Sequence, residues 1–177
     1  MMKVSCIYLV VGLSAVVAQT TILRLPLFHG IFYDLLIPLV VFLSLNLPNR
    51  EGVFVVVILG LIMDLISGGI FGLYLSIYFW IFLWVKSLTK FFDVGETLFQ
   101  SVLIGVCVLA QHLVFCISQS VPWAEVQSLA AQMTPVLSQT IIAALTGPFI
   151  LLLLGRLLTR LQRLSGVPRE TRDTAIR

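Results

Sequence analysis

The chain has 177 residues, of which 59% are apolar and only 11% charged, with a formal net charge of +3 and a mean hydropathy of +1.09. About a quarter of an ordinary soluble domain is charged, and a soluble fold of this size would expose much of its apolar surface as sticky patches, so the composition excludes a soluble domain and points to lipid as the solvent. The basic excess is local: residues 156–177 hold six arginines against Glu170 and Asp173, a surplus of +4 that leaves the remainder at −1.

Charge-free runs mark the spans, each measured against the ~20 helical residues needed to cross a hydrocarbon core of ~30 Å. Val4 to Leu23 is the first. Its start resembles a signal peptide, but Thr20 to Leu23 continue the run without a polar region, which predicts a retained span. A loop with Arg24, Pro26, His29 and Asp34 follows. The second run, from Leu35 to Leu47, reaches spanning length only if it starts as early as Ile31, and Leu47-Pro48-Asn49-Arg50-Glu51 then breaks it. The 34 residues between Glu51 and Lys86 contain a single carboxylate, Asp64, and are too long for one span. Ser67-Gly68-Gly69 divides them into two short helices, about 53–66 and 70–85, which form either two spans or a re-entrant hairpin. Thr97 to Gln119 is the fifth span and Val136 to Gly155 the sixth. Between them, Ser120 to Pro135 reads as an outer-surface helix or loop that caps the bundle, with Trp123 suited to the headgroup layer.

The expected fold is therefore all-α, a polytopic membrane bundle of about six transmembrane helices, with residues 1–162 as one transmembrane domain and 163–177 as a basic cytoplasmic tail. Placing both termini in the cytoplasm keeps Lys3, Arg50, Lys86, Lys90 and the six tail arginines inside and leaves only Arg24 outside. The tail has no aromatic residue and no groove-reading motif before it, so nucleic acid is excluded as a partner and membrane lipid takes its place.

Membrane helices pack through small and polar residues, and three spans carry such stripes. They are Ser5, Gly12 and Gln19 with Ala15 in the first, Gly105, His112, Cys116 and Gln119 in the fifth, and Gln139, Ala143 and Gly147 in the sixth. These stripes are expected to face one another. Gly68 and Gly72 read as a small-xxx-small pair opening the fourth helix. Cys6, Cys107 and Cys116 lack the spacing of a zinc or redox site and read as small buried hydrophobes. No HExxH, phosphate loop, GxSxG or second intramembrane Asp is present, so neither catalytic residue nor cofactor is expected. Asp64 is expensive inside a membrane and needs a partner. Backbone N–H groups opening the fourth helix, Arg24 and His112 are within reach.

Leu47-Pro48-Asn49-Arg50, the block Gly60-Leu61-Ile62-Met63-Asp64-Leu65-Ile66-Ser67-Gly68 and then Gly72 resemble the signature of the bacterial rod-shape-determining MreD family. Chain length, the flanking spans and the basic C-terminus extend the resemblance over nearly the whole chain. It implies a non-enzymatic, multi-pass subunit of the cell-elongation machinery in the inner membrane. The implied partners are an MreC-like bitopic protein, the MreB filament, RodA and a class B penicillin-binding protein. Gly60, Asp64, Ser67, Gly68, Gly72 and His112 are the expected structural and interaction residues. The family also resembles in fold the substrate-binding membrane subunits of energy-coupling-factor vitamin transporters, which supplies a second reading, a small-molecule transport subunit. For that role the outer loops offer only His29, Asp34, Trp123 and Glu125.

Overall fold

The computed structural model describes residues 2–22, 34–90, 97–118 and 126–164, with side chains over 6–21, 34–90, 99–118 and 136–160. Arg24, His29, Gln119, Trp123, Glu125 and the tail beyond Leu164 lie outside the described residues. Six α-helices and no strand occupy the described residues: α1 (Met2–Ile22), α2 (Leu36–Asn46), α3 (Asn49–Ser67), α4 (Leu73–Leu88), α5 (Thr97–Ser118) and α6 (Val126–Leu164).

The shortest helix is the central one. α2 has 11 residues, nine of them buried, and it packs against all five other helices. The extension back to Ile31 does not occur, because residues 34 and 35 are non-helical and the Asp34 carbonyl and carboxylate take the first free amides of the helix, those of Ile37 and Leu36. At its other end Pro48 disfavours the α conformation for Leu47, which adopts φ −100 and ψ 147. α3 then starts at once, at Asn49, but α2 packs more extensively on α4 than on α3.

α3 and α4 form a tight pair, as do α5 and α6. The fourth helix begins at Leu73, later than the sequence suggested. Gly68 caps α3 at φ 64 and Gly72 precedes α4 at φ 92, conformations that cost little only for glycine. Both glycines therefore build the turn and do not form a packing pair within a helix.

The fifth and sixth stripes do meet. A Cβ at Gly105 would lie 3.4 Å from Ala144 Cβ and one at Gly147 would lie 2.5 Å from the Ile104 side chain, and the Ser101 hydroxyl donates to the Ala144 carbonyl at 2.7 Å. Of the cysteines only Cys107 is buried; Cys6 and Cys116 are exposed. The stripe of α1 does not join those of α5 and α6 at Gly12, which packs instead on Leu59 of α3.

α6 has 39 residues and absorbs part of the segment expected to be a separate cap. Ala130, Ala131, Gln132 and Met133 favour helix, and Pro135 is tolerated within it, so residues 126–135 form the first turns of the same helix. Among the described residues, two stretches can each cross a membrane by length and composition, Phe99–Ser118 and Val136–Arg160; the apolar runs Cys6–Thr21, Leu36–Asn46 and Leu73–Leu88 are shorter.

Candidate functional site

Asp64 lies in the last turn of α3, buried, on the same helical face as Gly60. The αL residues Gly68 and Gly72 reverse the chain so that the first turn of α4 points its free amides back at α3. The Asp64 carboxylate accepts from Tyr74 N–H at 2.9 Å and from Leu75 N–H at 3.1 Å. A carboxylate at a helix N-terminus satisfies orphan donors and complements the positive end of the macrodipole. One turn earlier the two backbones touch: a Cβ on Gly60 would stand 2.7 Å from Leu75 Cα. Gly60 and Asp64 together fix how α3 meets α4. The exposed Ser67 hydroxyl accepts from Gly69 N–H at 3.3 Å and tightens the turn.

The sequence-based expectation for Asp64 holds for the amide partners of α4. Arg24 lies outside the described residues, and His112 is engaged elsewhere, in a side-chain hydrogen bond with Gln139 of α6.

A second carboxylate, Asp34, joins more elements than Asp64 does. Its Oδ1 accepts from Gln19 Nε2 of α1 at 2.9 Å and from Leu36 N–H at 3.0 Å. Its Oδ2 accepts from Gln111 Nε2 of α5 at 3.1 Å and from the Tyr78 hydroxyl of α4. Four donors saturate the four lone-pair positions of one carboxylate, and α1, α2, α4 and α5 are tied at one point. The two carboxylates are bridged by aromatic rings. Tyr74, whose amide meets Asp64, has its ring 5.9 Å from that of Tyr78 and stands edge-on to Phe115 of α5 at 5.2 Å.

Lys86 makes a third tie at the opposite end of the bundle. Its ammonium donates to the carbonyls of Ser44 at 3.0 Å and Leu47 at 2.6 Å, a cation on the free carbonyls that end α2.

From the sequence Asp34 is an outer-loop residue and a ligand candidate of the transport reading, not a tie between helices, and Tyr78, Gln111 and Lys86 do not stand out as a site. The signals that could have found them are an Asp just before an apolar run, which is a helix-start mark, and lone amides within apolar spans, which seek partners across helices.

The three ties hold helices; among the described residues, no three His, Cys, Asp or Glu side chains gather as a metal site. No curated protein and no solved structure matches the chain. Residues 2–157, however, match the family model for the rod shape-determining protein MreD, and the chain accordingly belongs to the MreD family of rod-shape-determining membrane proteins.

Proposed function

We propose that this chain is a non-enzymatic, multi-pass subunit of the bacterial inner membrane. It holds an MreC-like bitopic protein and, through it, the MreB filament, RodA and a class B penicillin-binding protein of the elongation machinery. In this reading six helices span or re-enter the bilayer, both termini and the tail from residue 163 are cytoplasmic, and Asp34 and Asp64 lie near the outer surface. The observation that carries the proposal is the use made of the two described carboxylates within the bundle. Each is occupied by donors of the chain itself, as suits a rigid holder of helices better than a turnover site. Family membership supports the shape-determining role.

Co-purification tests it. The tagged full chain, solubilised in mild detergent, should co-elute with the MreC-like protein and show no hydrolase activity, and Asp34→Ala should weaken the co-elution. Failure to co-elute in detergent and in native nanodiscs would reject the scaffold, and high-affinity capture of a vitamin would replace it with the transport reading.

A further inference from the structure

α6 has two opposite faces over its apolar stretch. Ala143, Gly147, Leu151 and Leu158 are buried against the bundle, whereas Leu145, Phe149, Leu152, Arg156 and Arg160 are exposed. The exposed residues recur at intervals of three or four, so they form one stripe along the helix. Leu145 and Phe149 are 74% and 70% exposed, a surface apolar enough for acyl chains. From Leu145 to Arg156 the helix rises about 16 Å, close to the depth of one leaflet, half of a core of about 30 Å. Among the described side chains the stripe closes with two guanidiniums one turn apart, Arg156 and Arg160, within the stretch that can cross a membrane, Val136–Arg160. α6 contains no acidic residue, and among the described residues neither arginine has an ion-pair or hydrogen-bond partner.

We infer that this stripe is a binding site for one anionic phospholipid of the adjoining leaflet. The phosphate lies between Arg156 and Arg160 and an acyl chain runs along Leu152, Phe149 and Leu145. Guanidinium donors match phosphate oxygens in a planar fork, and the apolar run supplies what a free phosphate ion would not use. Charge complementarity and the one-leaflet length select a lipid over a polypeptide as occupant. The inference rests on the reading that α6 crosses the bilayer, and it is independent of which proteins the chain holds.

Native mass spectrometry of the full chain, delipidated in detergent and given equal phosphatidylglycerol and phosphatidylcholine, tests it. About fivefold for each arginine at an anionic surface predicts a preference for phosphatidylglycerol of about 30-fold. Arg156→Gln with Arg160→Gln should abolish the preference, the paired Lys substitutions, which keep the charge but lose the fork, should retain only part of it, and Arg50→Gln with Lys90→Gln should leave it intact. Leu152→Gln should weaken both lipids. Three results would overturn the site: a preference that survives the paired Gln substitutions, displacement of the lipid by inorganic phosphate, or a photo-crosslinker at Leu153 that captures a polypeptide and no lipid in membranes. Co-elution with the MreC-like protein is read separately, and reporter fusions after Val121 and at Arg177 check that α6 crosses, so failure of the lipid site is distinguishable from failure of either reading.

Discussion

Replacing Asp34 by Ala removes the acceptor on which four helices converge. Three of the lost hydrogen bonds cross between helices, from Gln19, Tyr78 and Gln111, and the fourth serves the first free amide of α2. Interhelical hydrogen bonds in membrane proteins contribute about 0.6–1.7 kcal/mol each and a helix cap about 1 kcal/mol, so the substitution should cost about 3–6 kcal/mol. For a chain of this size each kcal/mol lowers the melting temperature by roughly 2–4 °C, and the shift should exceed about 6 °C. Asp34→Asn keeps one carbonyl acceptor but turns an N–H2 toward donors, so it should lose about half as much. Tyr78→Phe removes one donor and should cost only about 0.6–1.7 kcal/mol. The assay is thermal unfolding of the detergent-solubilised chain followed by size exclusion. If Asp34→Ala unfolds within about 2 °C of the parent, the carboxylate is not a structural tie and the reasoning fails.

Asp64→Asn should retain much of the folded yield, because one acceptor still faces the two amides of α4, whereas Asp64→Ala orphans both at about 1–3 kcal/mol each. Equal loss of function in both with folding intact would show that the charge or proton itself is needed. Gly60→Ala places a methyl 2.7 Å from Leu75 Cα and should cost about 1–3 kcal/mol by overpacking; an unchanged melting temperature would contradict the close approach of α3 and α4. A reporter active only in the cytoplasm should work when fused at Arg177 and be silent after Val121, and the reverse pattern would sink the proposed orientation. A peptide of the tail should bind anionic vesicles less once Arg163, Arg169, Arg172 and Arg177 are changed to Gln, and salt-insensitive binding would contradict an electrostatic contact.

What could be read in the sequence depended on how far apart the interacting residues lie. Asp64 and its donors are 10 and 11 residues apart, so a lone acid followed by a glycine-rich turn and a new apolar run was enough to expect the amide cap. The facing stripes of α5 and α6 were equally legible, because each carries small residues at helical spacing. Asp34 was not, since its donors on α1, α4 and α5 lie 15, 44 and 77 positions away and no periodicity within one helix connects them. Two boundaries differ for separate reasons: a full crossing would draw the start of α2 back toward Ile31, whereas Asp34 caps the helix at Leu36, and α4, expected at about 70–85, runs from Leu73 to Leu88 because the turn extends through αL Gly72.

The shortness of α2 and α4, 11 and 16 residues, explains why the three ties stand where they do. α2 rises about 16 Å and α4 about 24 Å, both less than a hydrocarbon core of about 30 Å, so in a bilayer their termini cannot all reach the headgroup layer. A helix terminus inside hydrocarbon exposes free amides or carbonyls at several kcal/mol apiece, a cost that water cannot relieve there. The chain places a charged side chain of the appropriate sign at three of those termini: Asp34 on the amides opening α2, Asp64 on the amides opening α4, and Lys86 on the carbonyls closing α2. Each charge is itself costly in lipid and is offset by the dipole it caps. Asp64 and Lys86 come from a neighbouring helix, so satisfying the backbone also sets which helices lie side by side. Asp34, at the start of its own helix, does the same through Gln19, Tyr78 and Gln111. The two shortest helices are thereby held against their neighbours at their ends.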